Sequence, residues 1–276
     1  MTRMIDLHIH TTATPSHASW SPEQLAAAAV TQGIRTIAVT DHNTTAGVAA
    51  VVAAGARYGL RVIAGVELDT AFGGKLWHTL VYGANPAAPE LRALCEEVFQ
   101  RNAADAQRLV DTLRSQGFRI ELPATADRSA NVAEVATALA CANQLPGRLV
   151  GEGDEEAGMR FVLTAMAGSY QPLGVDEVID VAHRLNALAV LAHPGRSKGI
   201  YAIPAEAEEI AAMAAAGLDG IEVYYPTHSL DQVELYRALA INHGLLISGG
   251  SDSHHPYQPL AMLDQRLVNI LEHLRV

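Results

Sequence analysis

The stretch that decides the fold is MIDLHIHTTATPSHAS, residues 4–19. It opens by alternating Ile5, Leu7 and Ile9 with Asp6, His8 and His10, the period-two pattern of a β-strand. Residues i and i+2 of a strand point the same way, so Asp6, His8 and His10 are expected on one face. Two imidazoles at that spacing can share one cation while a carboxylate orients a ring nitrogen from behind. A strand that merely faces water would carry the same residues. What this stretch means therefore depends on what the other strands bring.

Working outward, short apolar runs alternate with alanine-rich amphipathic stretches, the signature of repeated βα units. The pattern predicts strands over 4–10, 35–41, 61–67, 76–83, 187–193, 219–225 and 245–251. Between them it predicts helices over 22–32, 44–58, 175–185, 204–216 and 229–243. Ser21 as N-cap and Pro22 in the first turn open the first of these. The rhythm stops over 86–172, where APELRALCEEVFQRNAADAQRLVDTLRSQG (88–117) begins a helical region. The expected organisation is an α/β barrel domain, 1–85 and 173–276, with a helical insertion subdomain over 86–172 acting as a cap.

The ends of the predicted strands are the informative places. TDHN (40–43) brings Asp41 and His42, GVELD (65–69) brings Glu67, and WHTLVYG (77–83) carries His78. LAHPGR (191–196) brings His193, and GGSDSHHP (249–256) brings Asp252 and His254. In a barrel of parallel strands the C-terminal ends open on one face, where active sites are built. Residues far apart in sequence then converge on one small volume. The donors are imidazole nitrogen and carboxylate oxygen without thiolate, which suits zinc, manganese or iron in a hydrolytic centre. They are too many for one ion, so a cluster of two or three is expected.

In the order HxHT (8–11), TDHN (40–43), GVEL (65–68), the His78 strand, AHPGR (192–196) and GSDSH (250–254), the chain resembles the polymerase and histidinol phosphatase (PHP) family of metal-dependent phosphoesterases. The resemblance runs through residues 4–85 and about 174–256. It implies a distorted (β/α)7 TIM-like barrel holding up to three metal ions. It implies one ion on His8, His10, Glu67 and Asp252, with Glu67 bridging to a second on His78 and His193. A third would take His17, His42 and His254, with Asp6 and Asp41 standing behind the ligands. Many members acting on small substrates place an aspartate in a Ser-Asp-Gly turn shortly after HxH. Here the loop is longer, and the resemblance makes His17 its expected donor.

Divalent ions sharing a carboxylate can generate a bridging hydroxide near neutral pH and neutralise phosphoryl oxygens, so no protein nucleophile is required. Arg196 is the expected phosphate clamp, because guanidinium grips two oxygens at once. His228, in YYPTHS, is a candidate donor to phosphate or to the leaving group. Lys198 and Tyr225 are further candidates for substrate contact. His255 neighbours a ligand and points away.

The 276-residue chain is 49% hydrophobic, with 30 acidic against 19 basic residues and a net charge of −11. That balance disfavours binding along an extended nucleic acid and favours a small phosphorylated substrate, a nucleotide or sugar phosphate, as mono-, cyclic or diester. The alternatives are an exonuclease or oligonucleotide phosphatase acting at nucleic-acid ends, and a metal hydrolase of C–N or C–O bonds. No run is apolar enough to span a bilayer and no signal pattern opens the chain. Cys95 and Cys141 are too few for a disulfide framework, so a cytoplasmic enzyme is expected.

Overall fold

Ser21 caps the first helix through its side chain and Pro22 lies in its first turn, as the sequence predicts, and Gln24 closes a capping box with Ser21. In the computed structural model the described residues are 3–14, 17–122, 129–197 and 204–274. Lys198 lies outside them. The elements run β1 (Met4–Asp6), α1 (Pro22–Thr31), β2 (Ile34–Val39), α2 (Val48–Tyr58), β3 (Arg61–Phe72), β4 (Lys75–Tyr82), α3 (Pro89–Ser115), α4 (Val132–Ala142) and α5 (Asp154–Ala165). They continue with β5 (Leu173–Gly174), α6 (Val175–Arg184), β6 (Leu188–Leu191), α7 (Ala207–Ala215), β7 (Gly220–Tyr224), α8 (Leu230–His243), β8 (Leu246–Gly249) and β9 (Leu263–Asp264).

The chain forms two units, one of residues 1–96, 173–196 and 204–276, the other of 97–172 and 197–203. In the first, the sheet order is β8-β7-β6-β4-β3-β2-β1-β9, with β5 beside β3. Past β1 the chain stays extended and closes the sheet on itself. Leu7 N–H donates to Gly249 O at 3.2 Å and Asp252 N–H to His8 O at 2.8 Å, and Ile9 bridges Ser253 in parallel. The result is the expected distorted α/β barrel.

Two features depart from the sequence expectation. The strand over 76–83 is not parallel to its neighbours: β4 runs antiparallel to both β3 and β6. Gly73 and Gly74, with φ of 60° and 80°, make the tight turn that returns the chain. β3 therefore runs on to Phe72, and His78 sits within a strand, opposite Asp69.

The second departure is at β1. Ile5 and Leu7 belong to the interior cluster with Ala38, Leu80, Tyr82 and Val190, whereas Ile9 packs outside with Trp20, Leu25, Ala29 and Val51. The pleat changes parity just after the strand ends. Asp6 consequently does not share a face with His8 and His10. Its carboxylate accepts the backbone N–H groups of Ser251 at 2.9 Å and Ala261 at 2.8 Å.

In the second unit α4 and α5 meet where Gly158 faces the Ala136 carbonyl, with no room for a side chain. Among the described residues, no helix is long and apolar enough to cross a membrane.

Candidate metal centre

Glu67 is the hub. Fully buried at the end of the parallel part of β3, it turns both oxygens toward histidine nitrogens. Oε1 lies 2.9 Å from His78 Nδ1 and 3.1 Å from His193 Nε2. Oε2 lies 3.3 Å from His8 Nε2, 3.2 Å from His10 Nε2 and 3.2 Å from His42 Nδ1. Asp252 faces the same space, with Oδ1 3.0 Å from His10 Nε2 and 3.5 Å from His8 Nε2.

Donor atoms within 4.8 Å of one another fall into overlapping groups: His8, His10, Glu67, Asp252; Glu67, His78, His193; His10, His42, His254; and His42, Asp69, His78. His17 is in none of them. It is exposed, with its ring 4.7 Å from that of His254 and 5.9 Å from that of His42.

The donor set fits divalent cations on its own chemistry. His8 Nε2, His10 Nδ1, His42 Nδ1, His254 Nε2 and Glu67 Oε2 are buried side-chain atoms without a hydrogen-bond partner. Leaving one such atom unpaired costs about 1–3 kcal/mol, and several together mark a place built for something other than a protein donor. Burial drives the pKa of His42 well below the usual imidazole value, lowers that of His193 and takes His254 down to about 3. All three rings thus keep a lone pair to offer a cation. Burial opposes ionisation of Glu67 and Asp252 too, but the surrounding histidines outweigh it and hold both carboxyls well below the usual range.

Backbone strain gathers at the same place. His193 at φ 26°, Asp252 at 54° and Asn43 at 54° hold positive φ without being glycine. Asn43 uses that conformation to clasp Asp69, donating from Nδ2 to Oδ2 at 2.9 Å and accepting the Asp69 N–H at 3.0 Å. The Asp69 Oδ1 is left 3.5 Å from His78 Nε2.

The expected substrate residues border the centre in unequal ways. Arg196 stands over Asp252, Nη1 to Oδ2 3.5 Å, with 21% of its side chain exposed. The Tyr225 hydroxyl donates to Asp252 Oδ2 at 3.1 Å, so the ring supports a carboxylate of the centre. His228 has both ring nitrogens engaged: Nδ1 bonds Val223 O at 2.9 Å and Nε2 accepts the Gly195 N–H at 3.0 Å. So bonded, it holds the Pro194–Arg196 turn and has no N–H free for phosphate. Asp41 accepts from the hydroxyls of Thr11 and Thr14, both at 2.8 Å, fixing the loop after HxH.

Sequence reasoning missed Asp69 and Glu222. Asp69 is visible in GVELD once β3 is known to continue, because it lies two residues beyond Glu67 on the same face. Glu222 is visible as a lone glutamate between Ile221 and Val223, in a strand with no room for an unpaired charge.

The PHP domain profile matches residues 6–119. A phosphoribosyl 1,2-cyclic phosphate 1,2-diphosphodiesterase of Eggerthella lenta is 31% identical over 259 residues, 90% of this chain and 93% of that protein. A 3',5'-nucleoside bisphosphate phosphatase of Chromobacterium violaceum is 28% identical, covering 91% of this chain and 87% of that protein. A 5'-3' exoribonuclease of Escherichia coli is 29% identical, covering 91% and 85%. Among solved structures, a Bifidobacterium adolescentis protein predicted to be a metal-dependent phosphoesterase superposes with a TM-score of 0.68 at 26% identity, over 94% of this chain and 91% of that one. With HxHT, TDHN, GVEL, AHPGR and GSDSH converging on one buried centre, this chain belongs to the PHP domain family of metal-dependent phosphoesterases.

Proposed function

We propose that the chain hydrolyses a small phosphorylated metabolite, a nucleotide or sugar phosphate in mono-, cyclic or diester form, using two to three divalent cations (manganese, iron or zinc). The observation that carries this reading is Glu67, one carboxylate with five histidine nitrogens around its two oxygens. His8, His10, Glu67 and Asp252 would hold one ion, Glu67, His78 and His193 a second, and His42 and His254 with His10 or His17 a third. Bound cations supply an activated water and charge neutralisation of the phosphoryl oxygens. Asp252 and Glu67 keep their negative charge, and Glu67, common to two donor groups, would let two cations sit close together. Arg196, beside Asp252, approaches the same space from the substrate side and offers its fork to phosphoryl oxygens the cations leave uncovered. His228 and Gln232 clamp the Gly195 peptide from its two sides and so aim Arg196.

The three relatives act, by their names, on a cyclic phosphate, a nucleoside bisphosphate and RNA ends. The first two support a small substrate, and the net charge of −11 supports it independently. The exoribonuclease favours the second reading, hydrolysis at the 5' end of a short oligoribonucleotide. Free Cys95 and Cys141 support a reducing cytoplasm. The test is a panel of cyclic sugar phosphates, nucleoside bisphosphates, phosphomonoesters and short oligoribonucleotides offered to the manganese-loaded protein. Turnover of the small esters at least tenfold above the oligonucleotides supports the first reading. The reverse order replaces it with the second.

A further inference from the structure

Glu222 is a buried carboxylate that the ligand set does not use. It lies in β7 between Ile221 and Val223, all three without solvent exposure. An unpaired charge in such a strand is costly, so its partners define its purpose. Both of its oxygens face His8 Nδ1, at 3.2 and 3.3 Å, and Oε2 also accepts the backbone N–H of His193 at 2.8 Å. The two histidines are far apart in the sequence and contribute to different donor groups, His8 with His10, Glu67 and Asp252, and His193 with Glu67 and His78. Their rings lie 5.7 Å apart and nearly parallel.

We propose that Glu222 is a positioning residue that couples two cation positions, setting His8 through its ring and His193 through its backbone. The inference rests on the metal-centre reading above. In the neutral ring, a proton on Nδ1 facing Glu222 leaves the Nε2 lone pair facing Glu67 and Asp252. Nε2 is indeed the ring nitrogen that has no hydrogen-bond partner. Holding the His193 amide stabilises a residue at φ 26°, a conformation that non-glycine residues seldom adopt, and keeps Nε2 3.1 Å from Glu67 Oε1. Glu67 thus joins the two groups from the side of the cations, and Glu222 joins them from behind.

The test is Glu222→Gln, which keeps the volume but removes the charge and puts an N–H donor in place of one of the two oxygens that face His8 Nδ1. Manganese and zinc are titrated against a chelator of known affinity. The His8 ring tautomer is read by long-range proton–nitrogen NMR of the zinc-loaded and metal-free proteins. The expected result is that the two tightest ions weaken together, each by about 10–100-fold, with the melting temperature of the metal-free protein near that of wild type. Tyr225→Phe, which keeps the ring against His193 and removes only the hydroxyl bonded to Asp252, should weaken one ion and not the other. Two results overturn the proposal: affinities of the Gln variant within about twofold of wild type, or loss of one ion alone. Should the Gln variant fail to fold, Glu222→Asp keeps the charge, draws it back by one methylene, and reads the same coupling under the same criteria. Wild-type protein that binds no ion would instead remove the metal-centre reading itself, a distinguishable failure.

Discussion

At the scale of single residues, the centre depends on charge placed where burial alone would forbid it. Glu67 is unexposed, yet its carboxyl stays ionised because histidines surround it. Glu67→Gln preserves shape and removes the charge that lets two cations sit close together. Elemental analysis should show at least one ion lost and hydrolysis reduced by several hundredfold, with circular dichroism unchanged. Near-normal turnover at full metal content would show that Glu67 does not bridge. Arg196 makes a different contribution. Arg196→Ala should lower kcat/KM for phosphate esters by about 10²-fold while metal content holds, and lysine should restore only part, since a point charge lacks the planar fork. Unaltered kinetics in the alanine variant would shift phosphate binding to the cations alone. The convergence of His8, His10, Glu67 and Asp252 was legible because motif spacing names them. The bonding of His228 was not, because whether a ring nitrogen faces substrate or the Gly195 amide depends on a turn 33 residues away in sequence.

At the scale of elements, what the sequence hid was direction. An apolar run reads alike whether its strand lies parallel or antiparallel to its neighbour, and 76–83 was expected to follow the βα rhythm. Gly73-Gly74 was the available signal, since two residues with positive φ between apolar runs make a hairpin turn. The hairpin has a chemical consequence: it sets His78 across from Asp69, and no crossover connection could have done so in so few residues. In the other unit the decisive contact is between helices. The Ala136 carbonyl occupies the place where a Cβ on Gly158 would go, so Gly158→Ala must push α4 and α5 apart. Overpacking of this kind costs about 1–3 kcal/mol. The expected outcome is a lower thermal or urea midpoint with metal content unchanged. A midpoint equal to wild type would mean that the two helices part without penalty.

At the scale of the whole molecule, the barrel gathers donors from the two ends of the chain. Ile9 bridges Ser253, and the carboxylate of Asp6 holds the amides of Ser251 and Ala261. Such a centre should carry between two and three transition-metal ions per chain, and a chelator should abolish hydrolysis of an aryl phosphate. One ion or fewer in fully active protein would exclude a multinuclear centre. The final prediction concerns what the acidic surface permits. With 30 acidic and 19 basic residues, repulsion between protein and polyanion grows with every phosphate added, whereas a substrate with one or two phosphates is gathered by cations and Arg196 locally. A protein that tracks a single strand releases counterions and shows a log–log salt slope of roughly −0.7 per phosphate engaged. For a small-ester hydrolase the slope of kcat/KM against salt should stay shallower than about −1.5, and lengthening an oligoribonucleotide beyond two or three residues should bring no gain. The measurement is kcat/KM for a 3',5'-bisphosphate and for a graded series of oligoribonucleotides between 50 and 300 mM salt. A rate that climbs with length and falls steeply with salt would show that the chain grips an extended strand despite its charge, and would make the exoribonuclease relative the better guide to its substrate.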